Sequence, residues 1–274
     1  MMRYLPILLA CVSLVALSGC GRESEDGQTV VLTGSSTVAP VATDAAKRYE
    51  ESHPGVRIDV QSGGSSRGIA DAMSGLADLG MISRALKPEE SELKSHRIAM
   101  DGVCVIVNSG NPVSDLTKEQ LVDIYTGKVE IWSDLGGGDG EIVVASKAEG
   151  RATLEVFLGY TGLDSADIAA DVIVGENQHA IKTVAGNVNS IAYVSIGAAA
   201  SEAAAGTPIK LIACDGVAAT TEAVAKGTFP ITRPLQVVSH GELKPEAKEF
   251  LDFLQSREID DIIEGHLYVP VPDR

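Results

Sequence analysis

The sequence predicts an α/β protein built around a largely parallel sheet. From Thr29 onwards, segments typical of strands alternate with segments typical of helices, and this alternation favours a parallel α/β architecture. The chain of 274 residues is longer than one typical domain, so it can form either two lobes or one large α/β unit. We find no internal repeat and no low-complexity tract.

The N-terminal segment precedes the predicted fold. A positive start, the apolar run Leu5–Leu17 and small residues before Cys20 predict a lipoprotein signal peptide over residues 1–19. Cleavage before Cys20 would leave its sulfur to carry the palmitate-type lipid anchor; the alternative is an ordinary cleaved signal peptide. Residues 20–28 are polar and predict a lipidated tether. We therefore expect an exported protein of the cell envelope, held at the membrane through the anchor only.

The predicted strands are short apolar or alternating runs bounded by turn residues. The first leads into Gly34-Ser35-Ser36-Thr37, and the second follows the helix-breaking His53-Pro54-Gly55. In chain order they are Thr29–Leu32, Val56–Gln61, Ala77–Ile82, Ile98–Asn108, Ile142–Ala145, Ser190–Ser195, Lys210–Ala213 and residues 228–239.

The predicted helices carry caps or amphipathic patterns. Thr117 begins a capping box with Gln120, and Phe250, Leu251 and Leu254 give the last helix an apolar face. In chain order the helices are Pro40–Glu51, Ile69–Ser74, one opening at Lys87-Pro88, one from Thr117 to Gly127, one following residues 146–153, Thr220–Lys226 and Pro245–Gln255.

Three loops share one design, with glycine and hydroxyl residues between a strand and a helix. We call them the cradle loops: Gly34–Thr37, Gly63–Gly68 and Glu149–Thr153. Each places backbone N–H groups at a helix N-terminus, where an oxyanion is favoured. The alternative is that each loop only caps its helix, because caps use the same residue types. Three such loops in one exported chain favour a shared anion site.

An enzyme is the competing prediction. Residues 64–68 match G-x-S-x-G between a strand and a helix, which makes Ser66 a candidate nucleophile. A base and its partner would come from distant residues: His179, His240 or His266, with Asp215 or Asp260. Only two predicted strands precede the motif, whereas a hydrolase sheet has several, and no HGGG-type segment is present. The sequence thus favours a binding protein over a serine hydrolase.

Charge and residue spacing argue against several other functions. The formal net charge of −16 argues against binding of nucleic acid, although not of a small anion in a recessed site. The five histidines lack metal-ligand spacing, so no metal or other cofactor is expected. Cys104 and Cys214 lie in apolar runs and could either pair or remain buried thiols.

Several motifs together resemble the phosphate-binding proteins that serve ABC phosphate transporters. They are, in chain order, GSSTVAPV, GGSSRGI, ADLGMISRALKPEE, DGVCVIVNSGNPVSDLTKEQLVDIYTGK, IAYVSIGAA and FPITRP. The resemblance implies a type II periplasmic-binding-protein fold, with two α/β lobes, two crossing strands as hinge and the ligand between the lobes. Lobe one would comprise residues 29–107 and 231–274, and lobe two residues 108–230. Val107–Asn111 and Thr228–Pro234 are the candidate crossings.

The resemblance also implies a ligand set. Ser36, Thr37 and Ser65 match the family's contacts in the first two cradle loops. The family's Arg-x-Asp-Gly-Ser-Gly-Thr loop aligns with residues 147–153, which begin with Lys147. We therefore predict anion ligands in Ser36, Thr37, Ser65, Arg84, Arg151 and Thr153, with secondary roles for Ser35, Ser66 and Glu149.

Two departures from the family pattern bear on the ligand. Ser83-Arg84 stands where well-known members carry an aspartate, and Arg151-Ala152 stands where they carry Ser-Gly. A carboxylate accepts the proton that phosphate retains and repels sulfate, so replacing it by Arg84 makes the pocket more cationic. Arg84 could instead pair with Glu89 or Glu90.

We predict a monomeric receptor that passes inorganic phosphate to an ABC permease, with sulfate or another tetrahedral oxyanion as the alternative ligand.

Overall fold

The computed structural model describes residues 29–271. Twelve strands occur in this part of the chain. They are β1 Thr29–Gly34, β2 Arg57–Ser62, β3 Leu79–Ile82, β4 Lys94–Asn108, β5 Asp115–Leu116, β6 Val143–Lys147, β7 Val172–Val174, β8 Ser190–Ser195, β9 Ile209–Leu211, β10 Ala213–Cys214, β11 Thr232–Ser239 and β12 Val269–Pro270.

Nine α-helices accompany the strands in the described range. They are α1 Ala39–Ser52, α2 Ser65–Ser74, α3 Lys118–Tyr125, α4 Ala152–Thr161, α5 Asn177–Gly186, α6 Ile196–Ala204, α7 Thr221–Ala225, α8 Pro245–Leu254 and α9 Asp260–Gly265. The helix predicted to open at Lys87 is only the 3-10 turn Pro88–Glu90, because the chain enters β4 at Lys94. The capping box of Thr117 is present as predicted.

One sheet runs through the molecule, in the order β2-β1-β3-β11-β4-β8-β6-β7, with β9 and β12 attached to β4. Its outer strands pair in parallel, as in β1 with β2 and β6 with β7. Its centre is antiparallel, where β11 pairs with β4 and β4 pairs with β8. The sheet is therefore mixed, and the prediction of a largely parallel sheet holds for its two ends.

Two large hydrophobic cores divide this sheet into lobes, and a smaller cluster contains Ile69, Ile82 and Val238. The first core contains the buried residues of β1, α1 and α8, and the second contains those of β6, β8 and α5. The long strand β4 contributes Ile98 and Ala99 to the first core and Val103 onwards to the second. Ile231, directly before β11, packs in the second core, and Leu235 of β11 packs in the first. These two strands cross side by side, which confirms the predicted two-lobed fold with crossing strands.

The crossing in β4 lies earlier than the sequence indicated. Gly102 of β4 pairs with Thr232 of β11, and the Val103 N–H donates to the Ile231 carbonyl at 2.8 Å. The predicted lobe-one range extended to residue 107, but Val103 to Val107 pack in the second core and pair with β8. The apolar pattern of β4 is continuous, so composition alone does not mark this change of core.

The predicted signal peptide, Cys20 anchor and tether lie outside the described residues. Within residues 29–271, no helix combines the length and apolar character that a membrane span requires. Cys104 and Cys214 are free and buried, which settles the alternative of pairing in favour of thiols.

Candidate anion-binding site

The three cradle loops meet at one small polar cavity between the lobes. Lobe one contributes residues that follow β1, begin α2 and follow β3, and lobe two contributes residues from the end of β6 and the starts of α4 and α5. The lining residues are Ser35, Ser36, Thr37, Gly64, Ser65, Ser83, Lys147, Arg151, Ala152, Thr153, Gly175 and Asn177. The structure thus brings together five of the six predicted ligands and leaves Arg84 outside.

Most of the helices that begin at this cavity have no side-chain cap. The residues that precede α2, α4 and α5 make no capping hydrogen bond through their side chains. At α1 the Ser35 hydroxyl accepts from the N–H of Thr37 at 3.2 Å, so part of that loop does cap its helix. The capping-only alternative therefore fails for the second and third cradle loops. The Ser66 N–H donates to the Gly150 carbonyl, and the remaining free N–H groups of these helix starts give the cavity a positive potential.

Glycine is required where the first two cradle loops approach their neighbours. Gly34 has φ +131°, and a Cβ there would lie 2.2 Å from the Met81 carbonyl oxygen. Gly64 has φ +98°, and a Cβ there would lie 3.0 Å from the Gly150 oxygen of the other lobe. Both positions combine a backbone conformation that suits glycine with close approach of another chain segment. This explains the glycines of these loops.

Arg233 stands behind the cavity at the crossing of the lobes. Its side chain is 1% exposed and forms an ion pair with Asp101, its register partner on β4, at 2.8 Å. The guanidinium also donates to Thr153 Oγ1 at 2.9 Å and to Thr37 Oγ1 at 3.2 Å. Arg233 therefore joins a hydroxyl of each lobe to the hinge. In the sequence, the FPITRP motif indicated a crossing strand and contributed to the family resemblance, but it did not mark Arg233 as part of the site.

The hydroxyl of Thr37 is prepared to donate. Its oxygen accepts one hydrogen bond from Arg233 and a second from the Asn177 side-chain amide, at 3.2 Å. A hydroxyl has two acceptor lone pairs and one proton. With both lone pairs occupied, only the proton of Thr37 remains for a ligand. The arrangement therefore calls for an acceptor such as an oxyanion.

Lys147 is a second basic group that the ligand prediction did not include. Its Nζ donates to the Glu176 carbonyl at 2.9 Å and lies 3.4 Å from Asn177 Oδ1. Burial is the main cause that lowers the pKa of Lys147, to about 7; the charges of Arg233 and Arg151 act in the same direction, and Glu176 opposes them. The ligand prediction also omitted Asn177, although this residue begins α5 two positions after Gly175.

The cavity lining carries cations and no carboxylate. Arg151 lines it while its guanidinium pairs with Glu176 at 2.6 Å. Glu149, predicted as a secondary contact, is exposed and instead accepts a hydrogen bond from the Ser165 hydroxyl. No cluster of potential metal ligands occurs among residues 29–271. The site is therefore suited to an anion despite the acidic composition of the chain.

Arg84 is buried but lies beside the cavity rather than on it. Its guanidinium makes a bidentate pair with Glu90, at 2.7 Å for each bond, and lies 3.1 Å from Glu155 of lobe two. Burial opposes its charge, but the bond to Glu90 and the charge of Glu155 outweigh burial and raise the pKa of Arg84. The pairing with Glu90 that the sequence left open is the one observed.

Ser66 does not stand in a hydrolytic arrangement. It is exposed and is absent from the cavity lining, and its backbone N–H donates to the Gly150 carbonyl across the cleft at 3.3 Å. The histidines proposed as bases have other neighbours: His266 contacts Asp44 and His240 contacts Glu92. No histidine hydrogen-bonds Ser66 within the described part of the chain.

Fold and site together define a two-lobed solute-binding protein. The chain belongs to the PBP superfamily, whose family model, described as PBP superfamily domain, matches residues 21–258. The prediction of a binding protein rather than an enzyme is thereby confirmed, and the hydrolase alternative is wrong.

The similar proteins are bacterial and are named for phosphate binding or phosphate transport. The chain is 30% identical over 261 residues to the phosphate-binding protein PstS of Bacillus subtilis (strain 168), covering 93% of this chain and 85% of that protein. A structure from Clostridium perfringens, described as a phosphate ABC transporter substrate-binding protein with bound phosphate, is 36% identical with a TM-score of 0.83, covering 89% of this chain and 99% of that one. An ABC-type phosphate transport receptor from Vibrio cholerae is 30% identical with a TM-score of 0.73, covering 88% and 100%. The resemblance read from the sequence is confirmed.

Proposed function

We propose that this protein captures inorganic phosphate in the interlobe cavity and delivers it to an ABC permease. The observation that carries the proposal is the position of Arg233, which donates to a hydroxyl oxygen of each lobe and, together with Asn177, leaves only the Thr37 proton for a ligand. Uncapped helix starts and Arg151 add positive potential. The phosphate carried by the Clostridium perfringens relative supports the choice of anion.

Ligand roles follow from position in the cavity. Ser36, Thr37 and Ser65 would bind from lobe one, and Arg151, Thr153 and Asn177 from lobe two. Ser35 supports the first cradle loop through its bond to the Thr37 N–H. Closure about the crossing strands would remove the anion from water and complete its hydrogen bonds. Ser66 would stabilise the closed form through its bond to Gly150, whereas Arg84 and Glu149 would not touch the ligand.

Sulfate is the second candidate ligand. The residues that line the cavity include no carboxylate to accept the proton of phosphate or to repel a fully ionised anion. The Asn177 amide oxygen and the hydroxyls other than that of Thr37 are the remaining acceptors. We therefore expect discrimination between phosphate and sulfate to be weaker than in a site that contains an aspartate.

The family implies an extracytoplasmic protein. The pattern that ends at Cys20 supports a lipid anchor on that side of the membrane, with residues 20–28 as tether. We propose that the protein acts as a monomer, since the ligand cavity is formed by the two lobes of one chain. Lobe one would comprise residues 29–101 and 233–271, and lobe two residues 103–231, with Gly102 and Thr232 at the crossing.

Calorimetric titration with phosphate, sulfate and arsenate tests the ligand. The protein should bind one phosphate, and Thr37→Val should weaken binding by about hundredfold because it removes a donor to a charged ligand, a loss of roughly 2–3 kcal/mol. Thr43→Val is the matched control, since exposed Thr43 lies on α1 outside the cavity lining. Absence of heat with all three anions would refute the proposal.

A further inference from the structure

The amine of Lys147 lies in unusual surroundings for a cation. Lys147 is 3% exposed, and its two oxygen partners, the Glu176 carbonyl and Asn177 Oδ1, are both neutral. Among residues 29–271, no carboxylate oxygen lies within ion-pair distance of its Nζ. A buried ammonium without an ionic partner is costly.

The charged groups around Lys147 do not supply that partner. Arg151 from the start of α4 and Arg233 from β11 carry the same charge as an ammonium. The Glu176 carboxylate is paired with Arg151, and the Asp101 carboxylate is paired with Arg233. From β8, Tyr193 accepts the Lys147 backbone N–H at 3.1 Å and stays neutral because burial raises its pKa to about 12. On α5, His179 borders a separate groove next to the cavity, which Asp44 and His266 also line.

An anion in the cavity would supply the missing partner. Lys147 lines that cavity together with the three cradle loops, and its Nζ lies 3.4 Å from Oδ1 of another lining residue, Asn177, so a bound oxyanion would lie near the amine. We propose that Lys147 takes up a proton when the oxyanion enters, so that anion capture is coupled to protonation of this side chain. The lone pair of the neutral amine accepts the proton from the solvent or buffer, and an N–H bond forms. The inference rests on the proposed function, because the anion drives the uptake.

This coupling distinguishes the chain from the loop it resembles. The aligned family loop begins with an arginine, which is permanently charged and takes up no proton. Lysine keeps the positive charge available but allows it to titrate when buried. Affinity should then fall as the pH rises past the point at which the free amine loses its proton, by up to about tenfold per pH unit.

Calorimetry in buffers of different ionisation heats tests the coupling, with inorganic phosphate as the probe. Wild type should take up more protons per bound phosphate than Lys147→Arg at about pH 8, where the free amine is mostly neutral. Phosphate itself titrates in this range, but equally for both proteins, so the difference belongs to Lys147. The ratio of the wild-type Kd to the variant Kd should rise between about pH 6 and pH 9.

Equal proton uptake and parallel pH profiles would overturn the inference while leaving phosphate binding intact. Loss of phosphate binding by wild type would instead refute the proposed function. Should Lys147→Arg not fold, 13Cε NMR of lysines in the ligand-free wild type gives a direct answer, with Lys147→Met used to assign the signal. One lysine should titrate near neutrality; if all titrate near the ordinary value of about 10.4, the inference is wrong.

Discussion

The carboxylate of Glu155 on α4 lies 3.1 Å from the guanidinium of Arg84, so an ion pair joins the two lobes beside the ligand cavity. Lys87 of lobe one reaches the same carboxylate at 2.6 Å. Both cations therefore hold α4, which follows the N-cap residue Arg151 and carries Thr153 in its first turn, against lobe one. This contact would favour the closed form without touching the anion.

Removing the interlobe carboxylate should speed the release of phosphate. We expect Glu155→Gln to weaken affinity by about tenfold, or about 1.4 kcal/mol, through a faster dissociation rate with little change in association. Stopped-flow kinetics measures both rates. Glu222→Gln is the control, because Glu222 pairs with Lys226 on an exposed helix surface. An unchanged dissociation rate would show that this ion pair does not hold the lobes together.

Arg233 should contribute to stability through its ion pair with Asp101 and to phosphate binding through its bonds to the threonine hydroxyls. Arg233→Met leaves the buried Asp101 carboxylate unpaired and should cost about 3–5 kcal/mol of unfolding free energy. Adding Asp101→Asn should recover much of that stability but not phosphate affinity, since Thr37 and Thr153 still lack the Arg233 donor. Urea denaturation and calorimetry on the two variants measure these quantities. Recovery of binding in the double variant would contradict the role given to Arg233.

Gly34 should tolerate no side chain. Gly34→Ala places a Cβ 2.2 Å from the Met81 carbonyl oxygen at φ +131°, so we expect a loss of about 2–4 kcal/mol in unfolding free energy. Gly159→Ala is the control, because Gly159 lies inside α4 with open space around its Cβ position. That substitution should stabilise the protein by about 0.5–1 kcal/mol. Similar urea midpoints for the two variants would contradict this account of the first cradle loop.

Lys147 should also affect stability in the absence of ligand. Its folded-state pKa of about 7 lies below the unfolded value, so the buried amine opposes folding at neutral pH and ceases to do so as the pH rises through the unfolded value of about 10.4. Lys147→Met should therefore unfold at higher urea than wild type at pH 7, and the difference should shrink towards pH 10. A pH-independent difference would indicate an ordinary packing effect.

Local patterns predicted most of the elements that form the site. Strand Ser190–Ser195 and the capping box of Thr117 occur as the sequence indicates, because both depend on neighbouring residues. The cradle loops were also identifiable, since glycine and hydroxyl residues between a strand and a helix carry a recognisable pattern. The change of core within β4 was not, because its apolar run continues through both lobes.

Long-range partners explain where the structure departs from the sequence prediction at the site. Arg233 lies 132 residues from Asp101 and 196 from Thr37, and no local pattern reports such contacts. Arg84 was predicted as a ligand because it stands where the family carries an acidic residue. Its guanidinium instead pairs with Glu90, only six residues further along the chain. Glu155 of the other lobe forms a second ion pair with Arg84. Charge near a predicted site thus does not identify a ligand until its partners are known.

The crystal structure of the protein grown with phosphate tests the central claim most directly. The anion should lie in the interlobe cavity, within hydrogen-bond distance of Thr37 and Thr153 and of the N–H groups that begin α2 and α4. Density for phosphate only in the neighbouring groove bordered by Asp44 and His266, with the cavity between the cradle loops unchanged, would contradict the account.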